Sequence, residues 1–147
     1  MLSVEEARER ILSYFSVLPA EATPLVDSLG QVTSEDLVAS FDIPPLANSA
    51  MDGYAVIAKD TAGASKESPV ELLVTGVIAA GQLPDHALEP GNAIRIMTGA
   101  PVPENSDAVV PFEDTDELER RDADGSSESI SIHLQAETWD NVRGAGE

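Results

Sequence analysis

At 147 residues, with 27 Asp and Glu against 8 Lys and Arg and a formal net charge of −19, the chain has the length of one globular domain plus a small extra element. Such a surface repels phosphate backbones and anionic lipid, which argues against nucleic-acid and membrane-surface partners. Cysteine is absent, which excludes disulfides and thiolate metal sites, and no stretch resembles a signal peptide or a membrane span of about 20 residues, so a soluble cytoplasmic protein is expected.

The first predicted element is a helix. Ser3 followed by Glu6 fits a capping box, and Val4, Ala7, Ile11 and Phe15 recur at helical spacing to form one apolar stripe. Pro24 can start a second short helix that turns Leu25, Val26 and Leu29 inward and is capped by Gly30. The stretch 31–39 reads as interrupted extended structure, and Pro44-Pro45 marks the boundary beyond which strand patterning begins. Strands are expected at Tyr54–Ile57, at Val70–Ala80 with Gly76 as a bulge, at Ala93–Met97 with Ile94 and Ile96 on one face, and at Ala108–Val110. Pro90-Gly91 suits a type II turn. A last hairpin would join Asp114–Arg121 to Ser129–Leu134 across Asp124-Gly125, with the acidic run Glu113–Asp124 as a solvated face.

This pattern predicts a mostly β protein with an N-terminal helical arm (α+β): a small antiparallel β barrel or sandwich. The expected divisions are a helical arm and linker over 1–43, a small β domain over 44–138, and a return segment over 139–147 that looks cut inside a loop.

Two segments carry more polar chemistry than a scaffold needs. Asn48-Ser49-Ala50-Met51-Asp52-Gly53-Tyr54-Ala55 places a carboxylate just before a strand, where it could accept backbone N–H bonds or share Mg²⁺ with phosphate oxygens; equally, Asp-Gly is a common turn pair. Ile94-Arg95-Ile96-Met97-Thr98-Gly99-Ala100-Pro101-Val102-Pro103 ends a strand in a hydroxyl and a glycine, then stiffens the exit with prolines; Thr98 could equally bond its own backbone. His86 and His133 lie far apart without ligand-like neighbours and read as surface or strand residues. No phosphate-binding loop, dinucleotide fingerprint or hydrolase elbow occurs.

These two segments, in this order, resemble the paired signatures of the MoeA/gephyrin-E family of molybdopterin molybdenumtransferases. Asp42-Ile43-Pro44 before the first, and Asp107–Val110 with Glu113 after the second, are similar to its flanks. The resemblance covers essentially all of the chain and about the first third of a typical member. It implies an enzyme that inserts molybdate into adenylylated molybdopterin with a divalent cation, Mg²⁺, and releases AMP and molybdenum cofactor. It further implies catalytic roles for Asp52 and Thr98 and substrate-binding roles for Asn48, Ser49 and Glu113, with the metal ligands unknown. A homodimer sharing its site between subunits, and a partner of the molybdopterin adenylyltransferase type, are implied as well. One departure is visible: the family pattern continues past a Gly-Glu pair with a further carboxylate and a pocket domain, whereas this sequence ends at Glu147, so the chain alone is expected to be inactive. The alternatives are a non-enzymatic gephyrin-like scaffold of the same fold and an unrelated acidic metal-binding β module.

Overall fold

Helix α1, Val4–Leu12, begins where the capping box places it. The Ser3 hydroxyl accepts the Glu6 N–H at 3.1 Å, and the Glu6 carboxylate accepts the Ser3 N–H at 2.8 Å, so two orphan donors of the first turn are satisfied reciprocally. The computed structural model describes residues 2–121 and 128–147. Contacts divide the chain into two units, residues 1–38 and 39–147.

The first unit buries little. No residue of α1 is buried, and Val4, Ile11 and Phe15 of its stripe are all exposed. The second helical segment is a single 3-10 turn, Leu25–Asp27, followed by Gly30 at φ +85°. Leu25, Val26 and Leu29 do not face inward: they are 90%, 87% and 97% exposed. One short helix and one 3-10 turn do not make the second layer that an apolar face needs for burial. Residues 31–38 form no strand.

The second unit is built on β1 (Asn48–Ser49), β2 (Gly53–Val56), β3 (Val70–Ile78), β4 (Asn92–Ile96), β5 (Ala108–Pro111), helix α2 (Glu117–Arg121), β6 (Ser129–Ile132) and β7 (Val142–Arg143). Five strands form one sheet in the order β5-β2-β4-β3-β6, which curls into a half-barrel; β1 and β7 form a separate antiparallel pair. The return segment therefore contributes a strand of its own. The mostly β class with an N-terminal helix holds, but one ladder is not antiparallel: β3 and β4 run parallel. The segment 79–91 between them is long enough for the crossover of about a dozen residues that parallel pairing requires. Its end is the expected turn, with the Asn92 N–H on the Glu89 carbonyl at 3.2 Å and Gly91 at φ +78°.

Both faces of the sheet are covered. Tyr54, Val56, Leu72, Ala93, Val110, Ile130 and Ile132 pack on one side, and Ala55, Ile78, Leu88, Ile94, Ile96 and Val109 on the other. The bulge in β3 makes this possible. Its register with β4 slips between Val74 and Gly76, so Leu72 faces one cluster while Ile78 faces the second. Strict alternation would have put both on the same face.

The expected last hairpin is corrected. Asp114–Arg121 is not a strand: Phe112–Asp114 is a 3-10 turn and Glu117–Arg121 is α2, while β6 pairs with β3. Residues such as Glu, Leu and Arg favour helix over strand, and Thr115 caps the turn through its hydroxyl on the Glu117 N–H at 3.2 Å. This segment guards the β6 edge with side chains. Asp116 accepts the Ser131 N–H at 3.0 Å and Arg120 donates to the Ser129 carbonyl at 2.8 Å. Nor is the acidic run simply a solvated face, since Asp116 is 9% exposed and the Glu117 side chain 11%. The Asp124-Gly125 turn lies outside the described residues.

Candidate functional site

The two polar segments meet at one end of the β2–β4 ladder. Main-chain bonds stitch them together: the Ser49 N–H donates to the Ala100 carbonyl at 2.9 Å, and the Gly99 N–H to the Ser49 carbonyl at 2.8 Å. Gly53 is required for the close pairing of β2 with β5, because a Cβ there would stand 2.1 Å from the Val110 carbonyl oxygen.

Asp52 closes no turn of its own with its side chain. Its Oδ1 accepts both the main-chain N–H and the hydroxyl of Thr98, each at 2.7 Å. Thr98 correspondingly bonds Asp52 across the fold rather than its own backbone. These two bonds from Thr98, the main-chain one foremost, hold the Asp52 carboxyl below its usual range. Among the described residues no hydrogen bond falls on Asp52 Oδ2, and Thr98 is exposed, so the pair faces solvent as an ionised, oriented carboxylate.

The remaining candidates lie differently. Ser49 is fully buried, with its hydroxyl on the Met51 main chain at 2.5 and 3.2 Å, so it shapes the loop from beneath. The Asn48 amide nitrogen donates to the Leu46 carbonyl at 3.4 Å, and its Oδ1 is buried without a hydrogen-bond partner among the described residues. Glu113 is exposed on the Phe112–Asp114 turn. His86 lies against Asp85 and Thr75, and among the described residues no group of three or more His, Asp or Glu could hold a metal.

Sequence reasoning missed the network behind the pair. Arg95 and Glu117 form a bidentate ion pair, Nε to Oε2 at 2.8 Å and Nη2 to Oε1 at 3.3 Å, with side chains only 15% and 11% exposed. The Tyr54 hydroxyl donates to the same Glu117 at 2.9 Å; burial first, then this carboxylate, push the phenol well above its usual range. The guanidinium carbon lies 5.4 Å from the Tyr54 ring centre and 5.8 Å from that of Phe112. The available signal was an arginine in an otherwise apolar strand, a residue that is buried only when paired.

Fold and site together define a small β module presenting an oriented carboxylate beside a strand-end threonine. A family description, "MoeA N-terminal region (domain I and II)", matches residues 2–147, and the chain belongs to that family. It is 40% identical over its whole length to the molybdopterin molybdenumtransferase 2 of Mycobacterium tuberculosis, covering 34% of that protein. Over 96% of its length it is 39% identical to the molybdopterin molybdenumtransferase of Staphylococcus aureus (strain MRSA252), covering 35% of it. A crystal structure of the molybdopterin biosynthesis moeA protein from Pyrococcus horikoshii OT3 superposes with a TM-score of 0.79 at 30% identity, across all of this chain and 37% of that one. The chain thus spans about a third of the length of the relatives it matches. No helix among the described residues is long and apolar enough to cross a membrane.

Proposed function

We propose that this chain is the portion of a molybdopterin molybdenumtransferase that supplies the Asp52–Thr98 edge of its site, for insertion of molybdate into adenylylated molybdopterin with release of AMP. The observation that carries the reading is the pairing itself: a carboxylate in the first family segment is held by the main chain and hydroxyl of the second. Asp52 would orient the nucleotide, a cation or a water, and Thr98 would fix the direction in which the carboxylate points. A single solvent-facing carboxylate fits Mg²⁺, which is commonly held by one or two carboxylates together with substrate phosphates rather than by an all-protein cage. When bound, Mg²⁺ would supply charge neutralisation at the phosphoanhydride. The rest of the site would come from the part of the relatives that this chain does not span and from a partner subunit in a homodimer.

The test is Asp52→Asn in the longer protein that contains this chain, assayed for cofactor formation from adenylylated molybdopterin and molybdate. Asn keeps the shape and one acceptor but loses the charge. Turnover is expected to fall by about 100-fold or more, the scale for loss of one preorganised electrostatic group, with the thermal midpoint nearly unchanged. Normal turnover would remove Asp52 from the chemistry, and a large fall in midpoint would make it structural.

A further inference from the structure

The partly buried Arg95–Glu117 pair has a geometry that a packing role alone does not require. Gly53 and Ile96 are the last register pair of the β2–β4 ladder at this end. Beyond them one segment leads to Asp52 and the other to Thr98, and the Asp52 carboxylate and the Thr98 N–H join the two again. A single nitrogen, Arg95 Nη1, donates to both carbonyls of that last pair, to Gly53 at 3.1 Å and to Ile96 at 2.9 Å. The other two guanidinium nitrogens are occupied by Glu117, and the guanidinium lies between the Tyr54 and Phe112 rings. The Phe112 N–H in turn donates to the Asp52 carbonyl at 3.2 Å, so the same cluster holds the peptides on both sides of Gly53, the residue that follows Asp52.

We propose that Arg95, clamped by Glu117, is a positioning residue that fixes the end of the β2–β4 ladder and thereby sets the contact of Asp52 with Thr98. Its importance for turnover rests on the function proposed above; its effect on the contact does not. Arginine is needed because its planar fork serves the carboxylate and the two carbonyls at once, whereas lysine offers one point charge on a flexible stem. Neither partner can be removed singly without stranding a desolvated charge, which makes the double replacement Arg95→Met/Glu117→Leu the informative variant.

The experiment is a cycle on the ¹⁵N-labelled 147-residue chain at neutral pH, read at the Thr98 amide. In the wild-type background Asp52→Asn should move that resonance upfield, because an anionic acceptor is replaced by a neutral one. In the Arg95→Met/Glu117→Leu background the resonance should already lie upfield, and Asp52→Asn should move it by less than half as much. Arg95→Lys should give an intermediate value. Amides around Leu88 and Ala64, away from the substitutions, should keep their positions in every variant. An undiminished Asp52→Asn response in the folded double variant would overturn the proposal. Should the double variant not fold, Glu117→Gln decides, because its carbonyl can keep the bond to Tyr54 while the charge and one bond to Arg95 are lost: a smaller Asp52→Asn response supports the proposal and a full one overturns it. Loss of fold in both would assign the pair to stability and overturn it too. The readout needs no turnover, so an active Asp52→Asn enzyme would defeat the functional reading and leave this result standing.

Discussion

The two units of this chain use similar apolar residues to opposite effect. In 39–147, Ile94, Ile96, Leu88 and Ile132 are at most 1% exposed; in 1–38, Ile11, Leu18, Leu29 and Val32 are 59%, 86%, 97% and 94% exposed. Hydrophobicity is the same in kind on both sides, but only the β unit supplies a second surface to each face. A helix stripe without a facing layer gains nothing from being apolar, and its order then rests on local devices such as the Ser3–Glu6 capping box. The β unit can therefore present a fixed Asp52–Thr98 contact, because strands on both sides of it are locked into a packed sheet.

The largest expected effect that tests this contrast is a matched pair of truncations. Ile96→Ala should destabilise the β unit by about 2–5 kcal/mol, through lost burial and the cavity left behind. Ile11→Ala should stay within about 0.5 kcal/mol. Thermal or denaturant unfolding followed by tertiary signals in the β unit measures both. Equal losses at the two positions would break the comparison by showing that the arm's stripe is buried.

A second, intermediate effect is the acid sensitivity of the β unit. Asp116 is pushed up by burial, but the Ser131 N–H and the Arg120 and Ser131 side chains outweigh this and leave its pKa lowered. For a carboxyl whose folded pKa lies below the unfolded value, the stabilisation is present above the unfolded value, near 3.8, and is lost as pH falls through the folded one. The midpoint should therefore drop as pH falls below about 4. The drop should shrink in Asp116→Asn, which is already destabilised at neutral pH. Melting curves collected from pH 6 to 2.5 give the answer, and an identical acid profile in that variant would count against the assignment.

The smallest effect belongs to the arm alone. Ser3→Ala removes one half of the capping box and should weaken α1 by about 1 kcal/mol. Helical signal at 222 nm should fall slightly while the melting of the β unit does not move. A shift in that melting would sharpen the comparison in the other direction, by coupling the units energetically.

Much of the architecture was legible residue by residue. Ser3 and Glu6 announce α1; β2, β4 and β5 begin and end within a residue or so of their apolar runs; Gly76 marks the bulge and Pro90-Gly91 the turn. The hairpin over 114–121 was misread because a charged segment beside a turn is compatible with either a solvated strand or a short helix. What decides is the β6 edge that Asp116 and Arg120 satisfy, a partner absent from local sequence. The burial of Leu25, Val26 and Leu29 was misread for the complementary reason, since periodicity shows which residues share a face but not whether anything faces them.

The sequence by itself determined the local devices and the family: capping, turns, strand runs and two short polar segments are encoded within a few residues of each other, where steric and hydrogen-bonding preferences act directly. Only the tertiary structure decided the parallel β3–β4 pairing, the flip of Ile78 to the second core, and the contact of Asp52 with Thr98 behind which Arg95 and Glu117 are paired. Each of those joins groups far apart in the chain, and such pairings are fixed by burial and by the satisfaction of buried polar groups over the whole sheet, not by the preferences of any one segment.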